Sequence, residues 1–261
     1  ERNYIPNTAI NQNTLVIVSS YSGNTEETLS YYHSAKELTN NIFGITSGGK
    51  LLEALKDDNK SYYILPEGYP PRSATGYALT VLVRLLDSSL LEDISVDLLQ
   101  SYSDKLSLEE STAHVLAKKI YPTIPIIVTE ESTTSIGFRL KSQLNENSKM
   151  LSYNITLPEM NHNEIVGWQG KEIDKNILSL VWIDIRYNKN IKRMNITNNI
   201  LKDRVASNNH IDVPSEIASH RLASCLYLVN YVDWLSYWCA YSHNVDIMNI
   251  DNIDTLKKSM S

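Results

Sequence analysis

One stretch, residues 15–28, constrains the fold more than any other part of the sequence and reads LVIVSSYSGNTEET. It opens with the apolar run Leu15-Val16-Ile17-Val18, which is typical of a buried strand. A turn rich in hydroxyl groups follows, and from Glu26 onward the pattern is helical. Such a turn directs free backbone N–H groups and the positive helix end to one spot. The stretch therefore predicts an anion-binding site, with an ordinary capped turn as the alternative.

The side chains of this turn fit both interpretations. Ser20, Ser22 and Thr25 can donate hydroxyl hydrogen bonds to an anion such as phosphate. Asn24 and Glu27 have the three-residue spacing of a capping box, so Asn24 or Ser22 is expected to cap the helix.

The rest of the chain repeats this alternation of strand and helix. The predicted strands are 15–19, 41–46, 61–65, 123–129, 178–185 and 210–213, and the predicted helices include 25–38, 51–56, 75–86, 191–201, 217–242 and 252–260. Alternation of this kind predicts an α/β protein with doubly wound, mainly parallel sheets flanked by helices. We expect a first subdomain over 1–89, bridging helices over 90–120 and a second subdomain with a C-terminal helix over 121–261.

Charge and cysteine usage exclude several classes of partner. The chain carries 24 basic and 30 acidic residues, a net charge of −6, which argues against nucleic acid or an anionic membrane. The apolar run 222–241 contains Asn230 and Asp233, so a buried helix is expected there rather than a membrane span. Cys225 and Cys239 lie too far apart on that helix to pair, and no signal peptide is visible. A cytoplasmic protein is therefore expected.

Three residues stand out as candidates for chemistry. Glu146 lies where a helix should end, a position that suits a general base, although an exposed helix-end glutamate is the alternative. His162 lies in a polar segment between a proline and a tryptophan, which is typical of a functional loop. Arg72 follows two prolines and can contact an anion or solvent. His162 and Glu164 lack a third ligand at a sensible spacing, so no metal site is predicted.

Two sets of motifs resemble known families. SYSGNTEET over residues 20–28 resembles the phosphosugar-binding loop of sugar-isomerase (SIS) domains. NENSK at 145–149 and PEMNHNEIVGW at 158–168 resemble the archaeal-type bifunctional phosphoglucose/phosphomannose isomerases. Pro71-Arg72 and Leu256-Lys257 match that family too, so the resemblance spans nearly the whole chain.

This resemblance implies two SIS-type subdomains and a metal-free, cofactor-free interconversion of a hexose 6-phosphate with fructose 6-phosphate. Glu146 would move a proton between C1 and C2 through a cis-enediol, and Arg72 would stabilise the enediolate. His162, contributed from the neighbouring subunit of a homodimer with a shared active site, would open the sugar ring together with Lys257. The phosphate would be held by Ser20, Ser22 and Thr25.

The sequence departs from the family in two places. The family's first βα unit, with its glycine-rich loop, has no counterpart here, so the first subdomain is expected to be incomplete at its N-terminus. Ile250 stands where the family has a threonine near C1 and C2 of the sugar, which leaves acceptance of mannose 6-phosphate open. Two alternatives also stay open: a non-catalytic phosphosugar-binding module or regulator, and an isomerase acting on a pentose or amino-sugar phosphate.

Overall fold

The computed structural model describes residues 4–6, 9–170, 174–185 and 190–260, without the side chains of Lys257 and Met260. The chain divides into two compact units, residues 1–93 and 94–261. Both are built from parallel strands and flanking helices, which confirms the predicted α/β class. The subdomain boundaries at 89/90 and 120/121 stay a prediction.

The first unit contains a three-stranded parallel sheet in the order β1-β2-β3. Its elements are β1 (Val16–Ser19), α1 (Glu26–Lys36), β2 (Ile42–Thr46), α2 (Gly49–Asp57), β3 (Ser61–Ile64) and α3 (Thr75–Leu86). The core lies between the sheet and the first two helices, where Val18, Tyr32 and Leu51 are buried. Because all three strands are parallel, the loops that follow them lie at one edge of the sheet.

The second unit contains a four-stranded parallel sheet in the order β5-β4-β6-β7. Its elements are α4 (Val96–Leu106), α5 (Thr112–Ile120), β4 (Ile124–Glu130), α6 (Thr134–Ser148), β5 (Tyr153–Leu157), α7 (Glu164–Gly167), β6 (Leu178–Ile183), α8 (Ile191–Leu201), β7 (Ser207–Ile211), α9 (Arg221–His243) and α10 (Asp251–Met260).

Side chains of this sheet pack alternately on two faces, as the two-residue strand period requires. Ile127 and Val181 point into a core shared with α5, α6 and α9. Val128 and Trp182 point into a second core, which α8 completes with Met194. The sheet is therefore covered on both faces, and this is the doubly wound arrangement that the alternation of strands and helices predicted.

Helix α9 contains the run 222–241 that the sequence predicted as a buried helix, and its Leu228, Val232 and Leu235 are inaccessible to solvent. Within the described ranges, no helix combines the length and apolar character needed to cross a bilayer. Cys225 and Cys239 both lie on α9 as free thiols, as expected from their spacing.

Candidate functional site

The proposed phosphate-binding residues lie directly after β1. Ser20 is buried, whereas Ser22 and Thr25 are exposed, and the Ser20 and Thr25 hydroxyl groups lie 3.0 Å apart within hydrogen-bonding distance. Thr25 is the N-cap of α1, and its side chain makes no capping hydrogen bond. The backbone N–H groups in the first turn of α1 are therefore left for an anion at the positive end of the helix.

The predicted capping box of α1 is wrong. The Asn24 side-chain oxygen instead accepts a hydrogen bond from the Lys50 backbone N–H at 3.1 Å, in the first turn of α2. Asn24 thus caps the following helix rather than its own. The contact between Asn24 and Lys50 could not be predicted from the capping pattern, because these residues are 26 positions apart and come together only when the sheet has formed.

The loops after β1 and β2 are locked together at two glycines. A Cβ atom on Gly23, which has a φ of +67°, would lie 1.8 Å from the Gly48 carbonyl oxygen. A Cβ atom on Gly49, with a φ of +70°, would lie 2.4 Å from the Ser22 carbonyl oxygen. The Leu51 N–H also donates to the Gly23 carbonyl at 2.9 Å. Only glycine permits this approach, so the two loops form one rigid surface.

Arg72 lies at the same edge of the first sheet, after the carboxyl end of β3. It is half-buried in a short 3-10 helix, Pro71–Ser73, immediately before α3. The carboxyl ends of neighbouring parallel strands thus bring Arg72 to the edge that carries Ser20, Ser22 and Thr25.

Glu146 lies in the last turn of α6, half-buried, where it lines a cavity of about 420 Å³. The cavity is also lined by the segment that leads into α10, including Ile250, and by the first turn of α10, including Ile253. The helix end is closed by Lys149, which adopts a φ of 56° and donates from Nζ to the Glu146 carbonyl oxygen at 2.7 Å. Glu146 therefore lines a cavity large enough for a small ligand.

His162 is exposed at the end of a short 3-10 helix, Glu159–His162, which follows β5. Helix α6 connects β4 to its parallel neighbour β5, so α6 runs antiparallel to both strands and Glu146 lies near the start of β5. The strand then rises about 16 Å over its five residues before His162. Within one copy of residues 94–261, Glu146 and His162 therefore lie at opposite ends of β5.

Lys257 is the remaining site residue that the sequence predicted. Lys257 belongs to α10, but its side chain lies outside the described residues.

Burial raises the pKa of the Cys225 and Cys239 thiols, which argues against either thiol acting as a nucleophile. Among the described residues, no group of three or more His, Cys, Asp or Glu side chains could hold a metal ion.

Comparison with known proteins places these residues in a family. The family model for the bacterial phospho-glucose isomerase C-terminal SIS domain matches residues 109–260, the range that holds Glu146, His162 and Lys257. The bifunctional phosphoglucose/phosphomannose isomerase of Aquifex aeolicus is 35% identical over 96% of this chain and 77% of its own length. This chain belongs to the bifunctional phosphoglucose/phosphomannose isomerase family.

One relative of this phosphoglucose/phosphomannose isomerase family member has a different activity in its name. The D-glucosamine-6-phosphate 4-epimerase of Sulfolobus acidocaldarius is 37% identical over 60% of this chain and 51% of its own length. A crystal structure of a glucose-6-phosphate isomerase-like protein from Thermus thermophilus superimposes with a TM-score of 0.61, 16% identity, and coverage of 95% of this chain and 89% of that chain. At that identity the superposition supports the SIS-type fold alone.

Sequence reasoning missed two contributors to the site. Tyr21 joins the loop after β1 to the loop after β3, and Asn24 joins the former to α2. Both lie inside the SYSGNTEET motif, but their partners are 26 to 48 residues away. Only the parallel pairing of β1, β2 and β3 could have indicated these contacts.

Proposed function

We propose that this chain is a phosphohexose isomerase that interconverts glucose 6-phosphate and fructose 6-phosphate through a cis-enediol intermediate. The observation that carries this proposal is the position of Glu146, a half-buried residue that lines a cavity of about 420 Å³. An aldose–ketose isomerisation requires a base that takes the proton from C2 and returns it to C1. A single carboxylate can do both, because the two carbons of a cis-enediol present the same face.

The charge that develops during this transfer needs a cation, and the phosphate needs fixed donors. Arg72 would stabilise the enediolate oxygen, an interaction that is strongest in the transition state. Ser20, Ser22 and Thr25 would hold the phosphate beside the uncapped N-terminus of α1. Family membership supports these assignments, since the matching motifs are present in the chain.

Opening of the sugar ring would fall to His162 and Lys257, with His162 supplied by a second copy of the chain. The position of His162 supports this arrangement, because it lies at the far end of β5 from the Glu146 cavity. We therefore propose a homodimer with shared sites. We also infer a cytoplasmic location, since two free cysteines suit a reducing compartment.

A non-catalytic phosphosugar-binding module is not favoured. Such a module needs only the phosphate loop, whereas the isomerase motifs that this sequence resembles also include Glu146, Arg72 and His162. The alternative activity to test is that of the Sulfolobus acidocaldarius relative, whose name specifies glucosamine 6-phosphate as its substrate.

A coupled assay on the full chain tests the proposal. Fructose 6-phosphate formation is measured from glucose 6-phosphate and from mannose 6-phosphate, and turnover of glucosamine 6-phosphate is followed separately. We expect fructose 6-phosphate from glucose 6-phosphate, and the rate with mannose 6-phosphate gives the epimer preference. If glucosamine 6-phosphate is the only sugar phosphate turned over, the proposal is refuted in favour of an epimerase. If none of the three is turned over, the proposal is refuted in favour of a non-catalytic phosphosugar-binding module.

A further inference from the structure

The Tyr21 side chain connects the phosphate loop to the loop that carries Arg72. Its hydroxyl donates to the Pro66 carbonyl oxygen at 2.9 Å and accepts from the Tyr69 backbone N–H at 3.0 Å. Pro66 and Tyr69 are three residues apart, the spacing at which a carbonyl and an N–H bond directly in a β-turn. Here the Tyr21 hydroxyl bridges the two groups and closes the turn from outside.

The main chain of Tyr21 holds the other neighbouring loop. Its carbonyl oxygen accepts from the Ser47 hydroxyl at 2.6 Å and from the Ser47 N–H at 2.9 Å. Tyr21 lies between Ser20 and Ser22, two of the proposed phosphate contacts. One residue thus joins the loops that follow β1, β2 and β3.

The chain from Tyr69 to Arg72 is stiff enough to transmit this connection. Pro70 and Pro71 each have a φ fixed by their ring. The Ser73 N–H donates to the Pro70 carbonyl at 2.8 Å, which closes the short helix around Arg72. Fixing the Tyr69 N–H therefore fixes the start of the segment that places the Arg72 side chain.

We propose that Tyr21 is a positioning residue, which sets Arg72 relative to the phosphate loop through its hydroxyl bridge. This inference rests on the proposed isomerase function, since it assigns Tyr21 a part in stabilising the enediolate through Arg72. The phosphate anchors one end of the sugar, so the distance from the phosphate loop to Arg72 decides whether the guanidinium meets the charge that develops near C1 and C2.

The test variant is Tyr21→Phe, which keeps the half-buried ring and removes only the hydroxyl. Two main-chain hydrogen bonds are lost, so we expect kcat to fall about 10-fold and KM to change less than about twofold. The control is Tyr77→Phe, which removes a hydroxyl that contacts the Tyr69 hydroxyl at 3.4 Å and bridges no backbone groups in the described structure. This control is expected to keep the wild-type kcat.

A double-mutant cycle distinguishes positioning of Arg72 from a general loss of structure. In an Arg72→Met background, Tyr21→Phe should lower kcat by less than about twofold, because the group that Tyr21 positions is already absent. The same 10-fold loss in both backgrounds would overturn the proposal.

Hydrogen–deuterium exchange gives a readout that does not depend on activity. Residues 66–74 should exchange faster in Tyr21→Phe than in wild type and Tyr77→Phe, and unchanged exchange would overturn the hydroxyl bridge. If the wild-type chain isomerises no sugar phosphate, the proposed function fails, and exchange alone then decides whether Tyr21 holds the loop. If it isomerises glucose 6-phosphate and the cycle is additive, only the inference about Tyr21 fails.

Discussion

Glu146 is the proposed catalytic base because it lies at a helix end and lines a cavity. This half-buried residue lies in the last turn of α6 and lines a cavity together with Ile250 and the first turn of α10. A glutamate at a helix end does not by itself indicate a catalytic base. The cavity distinguishes this glutamate from exposed ones such as Glu109.

Replacing Glu146 with glutamine should abolish most of the isomerase activity. The amide keeps the shape of the side chain but cannot accept a proton, so kcat is expected to fall by about 10²- to 10⁴-fold. Binding of fructose 6-phosphate, measured by calorimetry, should stay close to wild type. Glu109→Gln, an exposed glutamate in the same unit, serves as the control and should be neutral. A Glu146→Gln enzyme within twofold of the wild-type rate would refute the assignment.

Ile250 is the residue expected to govern epimer preference. It lines the same cavity as Glu146 and occupies the position where the family resemblance implies a threonine. A C2 hydroxyl that meets an isoleucine side chain finds no hydrogen-bonding partner there. Ile250→Thr should therefore raise kcat/KM for mannose 6-phosphate relative to glucose 6-phosphate by about 3- to 10-fold.

The matched control for this change is Ile253→Thr, which places the same hydroxyl on the same cavity wall one turn further along. It should leave the epimer ratio unchanged. An equal shift with both variants would mean that cavity polarity, rather than position 250, sets the preference.

At the scale of elements, the proposed phosphate loop (residues 20–25) depends on its contact with the loop after β2. Gly23→Ala would place a methyl group 1.8 Å from the Gly48 carbonyl oxygen, and the positive φ adds strain. We expect the free energy of unfolding to fall by about 2 kcal/mol or more and the affinity for fructose 6-phosphate to weaken at least about 10-fold.

Gly76→Ala is the contrasting variant, because a Cβ at this position within α3 meets no atom within 4 Å. It should stabilise the protein by about 0.5–1 kcal/mol and leave binding unchanged. Thermal melting and calorimetric titration of both variants check these expectations. Normal binding by Gly23→Ala would show that the loops are not locked.

A second link between elements is sensitive to pH. Asp58, the C-cap of α2, accepts hydrogen bonds from Lys36 at 2.8 Å and from the Tyr32 hydroxyl at 2.6 Å, both on α1. The hydrogen bonds from Lys36 and Tyr32 lower the pKa of Asp58. Because the folded pKa is depressed, the stabilisation is fully present above the unfolded value of about 3.9 and is lost as pH falls below it.

Asp58→Asn should therefore melt at a lower temperature than wild type at pH 7, and the difference should shrink as the pH falls below about 3.9. The control is Glu110→Gln, which removes an ion pair with Lys118 that is largely exposed, with side-chain exposures of 70% and 51%. Exposed pairs contribute little, so this variant should follow the wild-type curve closely. A constant gap between wild type and Asp58→Asn at all pH values would contradict the linkage.

Elements with strong local patterns were predictable from the sequence, and those fixed by distant contacts were not. Helix α8 was predicted over 191–201 and lies at Ile191–Leu201.

Strand β5, Tyr153–Leu157, was not predicted, because the side chains of this edge strand are mostly exposed or half-buried and give no apolar run. The strand predicted at 210–213 begins earlier, at Ser207, because polar Asn208 and Asn209 pair with β6 through the backbone. Glu146 and Ile250 line the same cavity only because the chain before α10 passes close to the end of α6, a contact between distant residues that the sequence did not indicate.

At the scale of the whole molecule, the positions of Glu146 and His162 lead to a test of assembly. We expect sedimentation to show a dimer. Mixing Glu146→Gln and His162→Ala chains should then restore activity, because a hybrid dimer holds one site with both residues intact. Random pairing of equal amounts gives about a quarter of the wild-type rate.

The control for this experiment is each variant mixed with itself, which should stay inactive. Formation of hybrids is verified with two affinity tags. Hybrids that form without any recovered activity would show that His162 acts in its own subunit or has no catalytic role.

The position of α9 in the chain has a consequence for synthesis on the ribosome. This helix completes the core to which α5, α6 and β4 contribute, yet it is made only after β7. Until residues 221–243 have emerged, the apolar faces of those earlier elements have no partner and are open to chaperones. The core of residues 1–93 depends on no such late segment, because its buried side chains come from neighbouring elements. We therefore expect folding during translation to proceed in two steps, in which the core of residues 1–93 forms while the second unit still lacks α9.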